Sequence, residues 1–292
     1  MRLNRFDTSK IKVRGGGTGR GRVPGGRAGG IGCGGIALVL IGVFVFDADP
    51  SQMLSVVEGV QQQSGPQTQG SSSQSETELC TAGPFAEETC NALTSLNQTW
   101  EPIFARANVQ FEQPELVLYP SGPVSTNGCG NASSAAGPFY CPADLGIYID
   151  TNFFTVMERQ MGAGGDFARL YVMAHEYGHH IQNMTGLAGQ VRSLQQREPG
   201  QSNQLQVRME LMADCYAGVW AGKNRSRIEP GDMEEGLRAA SAIGDDTLQR
   251  NAGQRINPEN FTHGTSRQRM QALQLGLETA NEAECDVYFD FR

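Results

Sequence analysis

The chain has 292 residues, room for one sizeable domain with appendages, and a net charge of −8 at pH 7. That charge is uneven: residues 1–30 hold eight lysines and arginines, from Arg2 to Arg27, against one acid, Asp7. The rest is therefore strongly acidic, which tells against nucleic acid as a partner of the folded part.

In chain order, residues 1–28 read as a basic, glycine-rich arm with "RGGGTGRGRVPGG" at its centre. Residues 29–46, "GGIGCGGIALVLIGVFVF", are uncharged, and as a helix would span roughly 27 Å, just enough to cross a bilayer core. Positive charge before this stretch and Asp47 and Asp49 after it predict one transmembrane helix, with the N-terminus in the cytoplasm and the rest outside. A cleaved signal peptide is the rival reading, because the strongly apolar part, Ile36 to Phe46, is short. Residues 47–78 end in "QQQSGPQTQGSSSQSETE", too polar to fold, and read as a disordered linker.

Residues 79–292 form the expected folded domain, of α+β class. Its first half shows turn signals and short strand-like pieces, "ELVLYP" (115–120) and "LGIYID" (145–150). Its second half is predicted helical over about 166–184, 203–222, 231–243 and 265–280, with Thr265 or Ser266 capping the last helix. Six cysteines lie beyond the apolar stretch, an even number that suits disulfides in an oxidising compartment. The economical pairs are Cys80 with Cys90 and Cys129 with Cys141, leaving Cys215 with Cys285. Parity does not decide among connectivities, and Cys215 could equally be a buried thiol in an apolar helix.

The chemistry concentrates in "VMAHEYGHHIQ" (172–182), which holds three of the four histidines. His175 and His179, four apart, project from one face of a helix, as two ligands of a single Zn²⁺ must, and Glu176 stands beside them as a base for a water. His180 points about 100° away and reads as structural. A third ligand is needed, and the long metzincin motif is closed because Gln182 and Thr185 stand where it requires glycine and histidine. The segment "RMELMADCYAGVW" (208–220) supplies an alternative. It is apolar around most of its circumference, yet carries Glu210 and Asp214 among Ala213, Ala217 and Gly218. Buried carboxylates need partners. If this helix packs on the first one near Ala174 and Gly178, Glu210 becomes the third ligand and Asp214 orients His175.

"HEYGHHIQ", "ELMADCYAG" and the later "FTHGTSRQR" resemble a bacterial family of neutral zinc metallopeptidases, with likeness over nearly the whole chain. The resemblance implies a zincin-like domain, mainly helical around the site with a small sheet, and peptide hydrolysis with one Zn²⁺. It also implies anchorage in the bacterial inner membrane with the catalytic domain periplasmic or extracellular. More distantly, "FTHGTSRQR" is similar to a segment of the CAAX-processing endopeptidases, with Gly264 in place of their proline and Arg269 matching their arginine. By that likeness His263 would stabilise an oxyanion; a loop histidine capping the following helix is the plain alternative. Residues 146–150 are a candidate edge strand for an extended peptide. The rival function is a membrane-tethered metal-binding or interaction module without hydrolysis, against which the glutamate at 176 speaks.

Overall fold

The computed structural model describes residues 1–17 and 74–289. Along the polar N-terminal stretch, Met1, Ile11 and Val13 are apolar, and all three are buried. Lys12–Gly15 forms strand β1. The Met1 ammonium lies 2.8 Å from Asp166 and 2.9 Å from Asp232. Further along, the Phe6 N–H donates to Asn91 and the Lys10 carbonyl accepts from Asn97. The expected free arm is thus corrected: residues 1–17 are a strap on the domain, and its arginines are partly committed, Arg14 to Glu115 at 2.6 Å and to the Tyr148 hydroxyl at 2.8 Å.

The domain resumes with α1 (Glu76–Cys80), started by a capping box in which Ser75 and Glu78 satisfy each other's backbone N–H. The expected linker therefore ends earlier than residue 78. There follow α2 (Pro84–Arg106), β2 (Glu115–Tyr119), the hairpin of β3 (Pro123–Ser125) and β4 (Asn131–Ser133), β5 (Phe139–Cys141) and β6 (Gly146–Asp150). The helical half contains α3 (Phe153–Met161), α4 (Asp166–Met184), α5 (Leu187–Arg197), α6 (Ser202–Lys223), α7 (Asp232–Ala242), α8 (Asp245–Asn251) and α9 (Ser266–Thr279). The four expected helices are α4, α6, α7 and α9, within about a residue of their predicted ends; α1, α2, α3, α5 and α8 are additional.

The sheet runs β1-β2-β6-β5, with β1, β2 and β6 parallel and β5 antiparallel to β6. The register sets Leu116 beside Ile147 and Phe139 beside Tyr148. Residues 146–150 are buried at every position, because β6 is flanked on both sides. The expectation that they form the edge is corrected: among the described residues the free edges belong to β1 and β5.

Helix α4 is central, packed against α2, α6, α7 and β5. Glycines let its neighbours approach. A Cβ on Gly178 of α4 would stand 2.8 Å from the Ala213 Cα of α6. Gly218, expected on that same face, serves another contact: its Cβ would meet the Leu273 carbonyl of α9. Three disulfides, Cys80–Cys90, Cys129–Cys141 and Cys215–Cys285, close the structure in the economical pairing.

The expected transmembrane helix has no counterpart among the described residues. Among the described residues no helix is long and apolar enough to cross a membrane, and residues 29–46 lie outside them. The strap also constrains topology. A Cβ on Gly15 would lie 3.5 Å from Leu79 and 4.0 Å from Gln74, so the chain departs and returns at one place. Residues 1–17 and 74–289 therefore belong to one packed unit.

Candidate metal centre

Helix α4 presents His175 and His179 one turn apart, and α6 brings Glu210 across the Gly178–Ala213 contact. The Glu210 Oε2 atom lies 3.1 Å from His175 Nε2 and 3.5 Å from His179 Nε2. Ligand atoms at about 2.05 Å in a tetrahedron stand about 3.3 Å apart, so these spacings fit a zinc ion held by all three. Each residue offers one ligand atom within 4.8 Å of the others. His175 and Glu210 are buried, while His179 is partly open.

A polar partner holds each ligand from behind. His175 Nδ1–H donates to Asp214 Oδ1 at 2.8 Å, which leaves Nε2 as the ligand atom. His179 Nδ1–H donates to Gln182 Oε1 at 2.9 Å, and the amide of Gln182 donates onward to the Met209 carbonyl at 2.7 Å. Gln206 donates to Glu210 Oε1 at 2.9 Å and leaves Oε2 to face the two imidazoles. Gln182 follows His179 by three and Gln206 precedes Glu210 by four, spacings that were readable as same-face helical neighbours.

Asp214 is fully buried and accepts from the Tyr171 hydroxyl at 2.6 Å and from Arg269 at 2.8 and 2.9 Å. Burial alone would raise its pKa, but the Arg269 guanidinium and His175 hold it at about 2. Asp214 is therefore an ionised acceptor, as a partner of a ligand imidazole should be. Burial works against a charged His175, yet Asp214 and Glu210 outweigh it and push its pKa up to about 10. His179 is raised likewise, by Glu210 against burial. Glu210 is held well below the usual carboxylate range, the imidazoles overcoming its burial. A buried cluster of this kind calls for positive charge. Glu176, 8% exposed, has its pKa raised by burial, partly opposed by the two histidines.

His263 sits on the loop before α9. Asp245, the first residue of α8, accepts with Oδ2 from the backbone N–H groups of Thr262, His263 and Gly264, and with Oδ1 from His263 Nδ1–H at 3.1 Å. Thr265, not His263, caps α9, in a capping box with Gln268, which removes the plain alternative for this histidine. Gly264 has φ +87°, a conformation closed to proline; this accounts for the glycine at that position. A Cβ there would lie 3.2 Å from Val207 and 3.4 Å from Leu211, so the loop is seated on α6 beside Glu210. The charge of His263 contributes to the lowering of the Glu210 pKa. Asp245 gave no signal in the sequence, because its contacts with this loop are about eighteen residues distant and not helical.

Residues 3–288 match the model of a family described as "Putative neutral zinc metallopeptidase". The chain belongs to this family. The match begins within the N-terminal strap, which is thus part of what the family shares. The chain is 44% identical over 206 residues to the uncharacterized protein YpfJ of Escherichia coli K12, covering 70% of this chain and 71% of that one. It is 42% identical over 207 residues to the uncharacterized protein Rv2575 of Mycobacterium tuberculosis H37Rv, covering 66% and 67%. No solved structure matches.

Proposed function

We propose that this member of the family is a zinc-dependent peptidase, with His175, His179 and Glu210 holding one zinc ion. The observation that carries the reading is Glu210 from α6 set between two imidazoles of α4, each ligand oriented by its own polar partner. Zinc at such a site lowers the pKa of a water towards about 7 and polarises a carbonyl.

Glu176 is not one of the three ligands, and its buried carboxylate has a raised proton affinity. It takes the proton of the attacking water and passes it to the leaving amine. His263, held through Nδ1 by Asp245, offers its other ring nitrogen to the oxyanion as charge develops. Asp214 and Arg269 keep His175 in one tautomer. An extended peptide pairs with the free edge of β5. The three disulfides support an oxidising compartment for the domain. A binding module without hydrolysis would need the same ligands but no carboxylate at 176.

The test is hydrolysis of a quenched-fluorescence peptide library by the zinc-loaded chain beside Glu176→Gln. The proposal expects cleavage by the parent and a loss of about a thousandfold or more in the variant at equal zinc content. Equal rates would refute the assignment of Glu176, and an inactive parent would favour the binding module.

A further inference from the structure

His180 follows a ligand histidine but faces the opposite way, into the contact between α4 and the sheet. Its ring is fully buried, edge-on to Tyr140 and Tyr177 with centroids 5.4 and 5.5 Å away. Its Nε2 lies 2.7 Å from the Glu112 carbonyl and its Nδ1 3.1 Å from the Tyr140 hydroxyl. A carbonyl only accepts, so Nε2 carries the hydrogen and Nδ1 accepts from Tyr140. One proton on the ring serves both contacts.

Asn183, three residues on, completes the arrangement. Its amide donates to the Tyr140 oxygen at 3.0 Å and approaches the Pro142 carbonyl at 3.5 Å. Tyr140 is the middle residue of β5, and Glu112 leads into β2. The strands on both sides of β6 are thereby tied to the turn of α4 that holds His179. One backbone step separates a metal ligand from the residue that locates the strand edge.

We propose that His180 is a positioning residue which, through Tyr140, fixes the free edge of β5 at its working distance from the metal centre, so that a paired peptide presents a chosen bond there. This rests on the peptidase reading above. A buried histidine that merely fills the core would be equally indifferent to short and long ligands. A positioning role discriminates, because only a peptide long enough to pair with β5 senses where the edge lies.

The experiment uses the full zinc-loaded chain carrying Glu176→Gln, so that ligands bind without turnover. Two probes are titrated by fluorescence anisotropy: an unstructured octapeptide and a blocked dipeptide, each with the same dye. Adding Tyr140→Phe removes one hydroxyl and little volume. Zinc content should stay the same, octapeptide affinity should fall about tenfold, and dipeptide affinity should not change. His180→Ala should reproduce the loss, and His180→Gln, which keeps a donor and an acceptor, should restore part of it. Equal affinities for the octapeptide with and without the Tyr140 hydroxyl would overturn the proposal alone, as would zinc loss or an equal loss for both probes. Failure of the parent to bind the octapeptide would overturn the edge as a peptide site and this proposal with it.

Discussion

Gly178→Ala tests whether helix approach sets the geometry of the site. The added Cβ would stand 2.8 Å from the Ala213 Cα, 2.9 Å from its carbonyl oxygen and 3.0 Å from its Cβ, where ordinary contact begins at 3.4 Å. None of these atoms can rotate away, so α4 and α6 must part by about 0.6 Å, three times the roughly 0.2 Å tolerance of a metal site. Gly178 adjoins His179, and Ala213 is three residues past Glu210, so the displacement falls on the ligands. Stability changes less: overpacking costs about 1–3 kcal/mol, and replacing a helical glycine returns up to about 1. Expected are a net loss of about 0–3 kcal/mol in denaturant unfolding and a fall of about 10–100-fold in zinc affinity by chelator competition. Gly189→Ala on α5, where nothing lies within 4 Å, is the control and should be neutral or slightly stabilising. A folded Gly178→Ala protein with unchanged zinc affinity would refute the reasoning.

Arg269→Met should cost about 3–5 kcal/mol in urea unfolding, because it leaves Asp214 buried and charged without its main partner; a cost below 1 kcal/mol would mean that Tyr171 and His175 suffice. The His180 pKa is lowered by burial to about 4, so between about 6.5 and 4 the unfolded chain binds a proton that the folded chain does not. This contribution is neutral above pH 6.5 and destabilises progressively as pH falls, by about 3 kcal/mol at pH 4. Comparing urea midpoints at pH 7 and 4.5 checks it: His180→Gln should show a smaller acid loss than the parent, and an equal loss contradicts the assignment. Cysteines introduced at the exposed Ser9 and Ser193 should both react, or both be protected, when intact cells are treated with a membrane-impermeant thiol reagent. Labelling of one alone would contradict the strap.

The helices of the second half and the ligand set were legible because their signals are local. His175 and His179, and Glu210 and Asp214, stand at helical spacing, and carboxylates within an apolar helix imply a partner. Proximity in sequence favoured the two local cysteine pairs, and Cys215 with Cys285, 70 residues apart, was left over as the remaining preference. Helix α2 escaped notice because its buried face includes Thr89, Thr94, Ser95 and Asn97, which blur the apolar period. Those polar groups are all satisfied: Thr89 and Thr94 donate to the Phe85 and Cys90 carbonyls of the same helix, Asn97 accepts from the Tyr177 hydroxyl and Ser95 from the Trp220 indole. The strap was hidden by its composition. Met1, Ile11 and Val13 are too few to mark a folded segment, and β1 exists only because β2 offers it an edge. Strand β6 was misplaced for the opposite reason, since a short, mostly apolar run such as GIYID reads alike at the centre or the edge of a sheet.

X-ray absorption at the zinc edge, with metal content measured on the same samples, tests the central claim most directly. The account predicts about one zinc per chain, bound by nitrogen and oxygen at about 2.0–2.1 Å with two imidazoles in the first shell. Glu210→Ala should lose most of the metal, and Glu176→Gln should keep it in the same environment. A sulfur ligand near 2.3 Å, or undiminished zinc in Glu210→Ala, would contradict it.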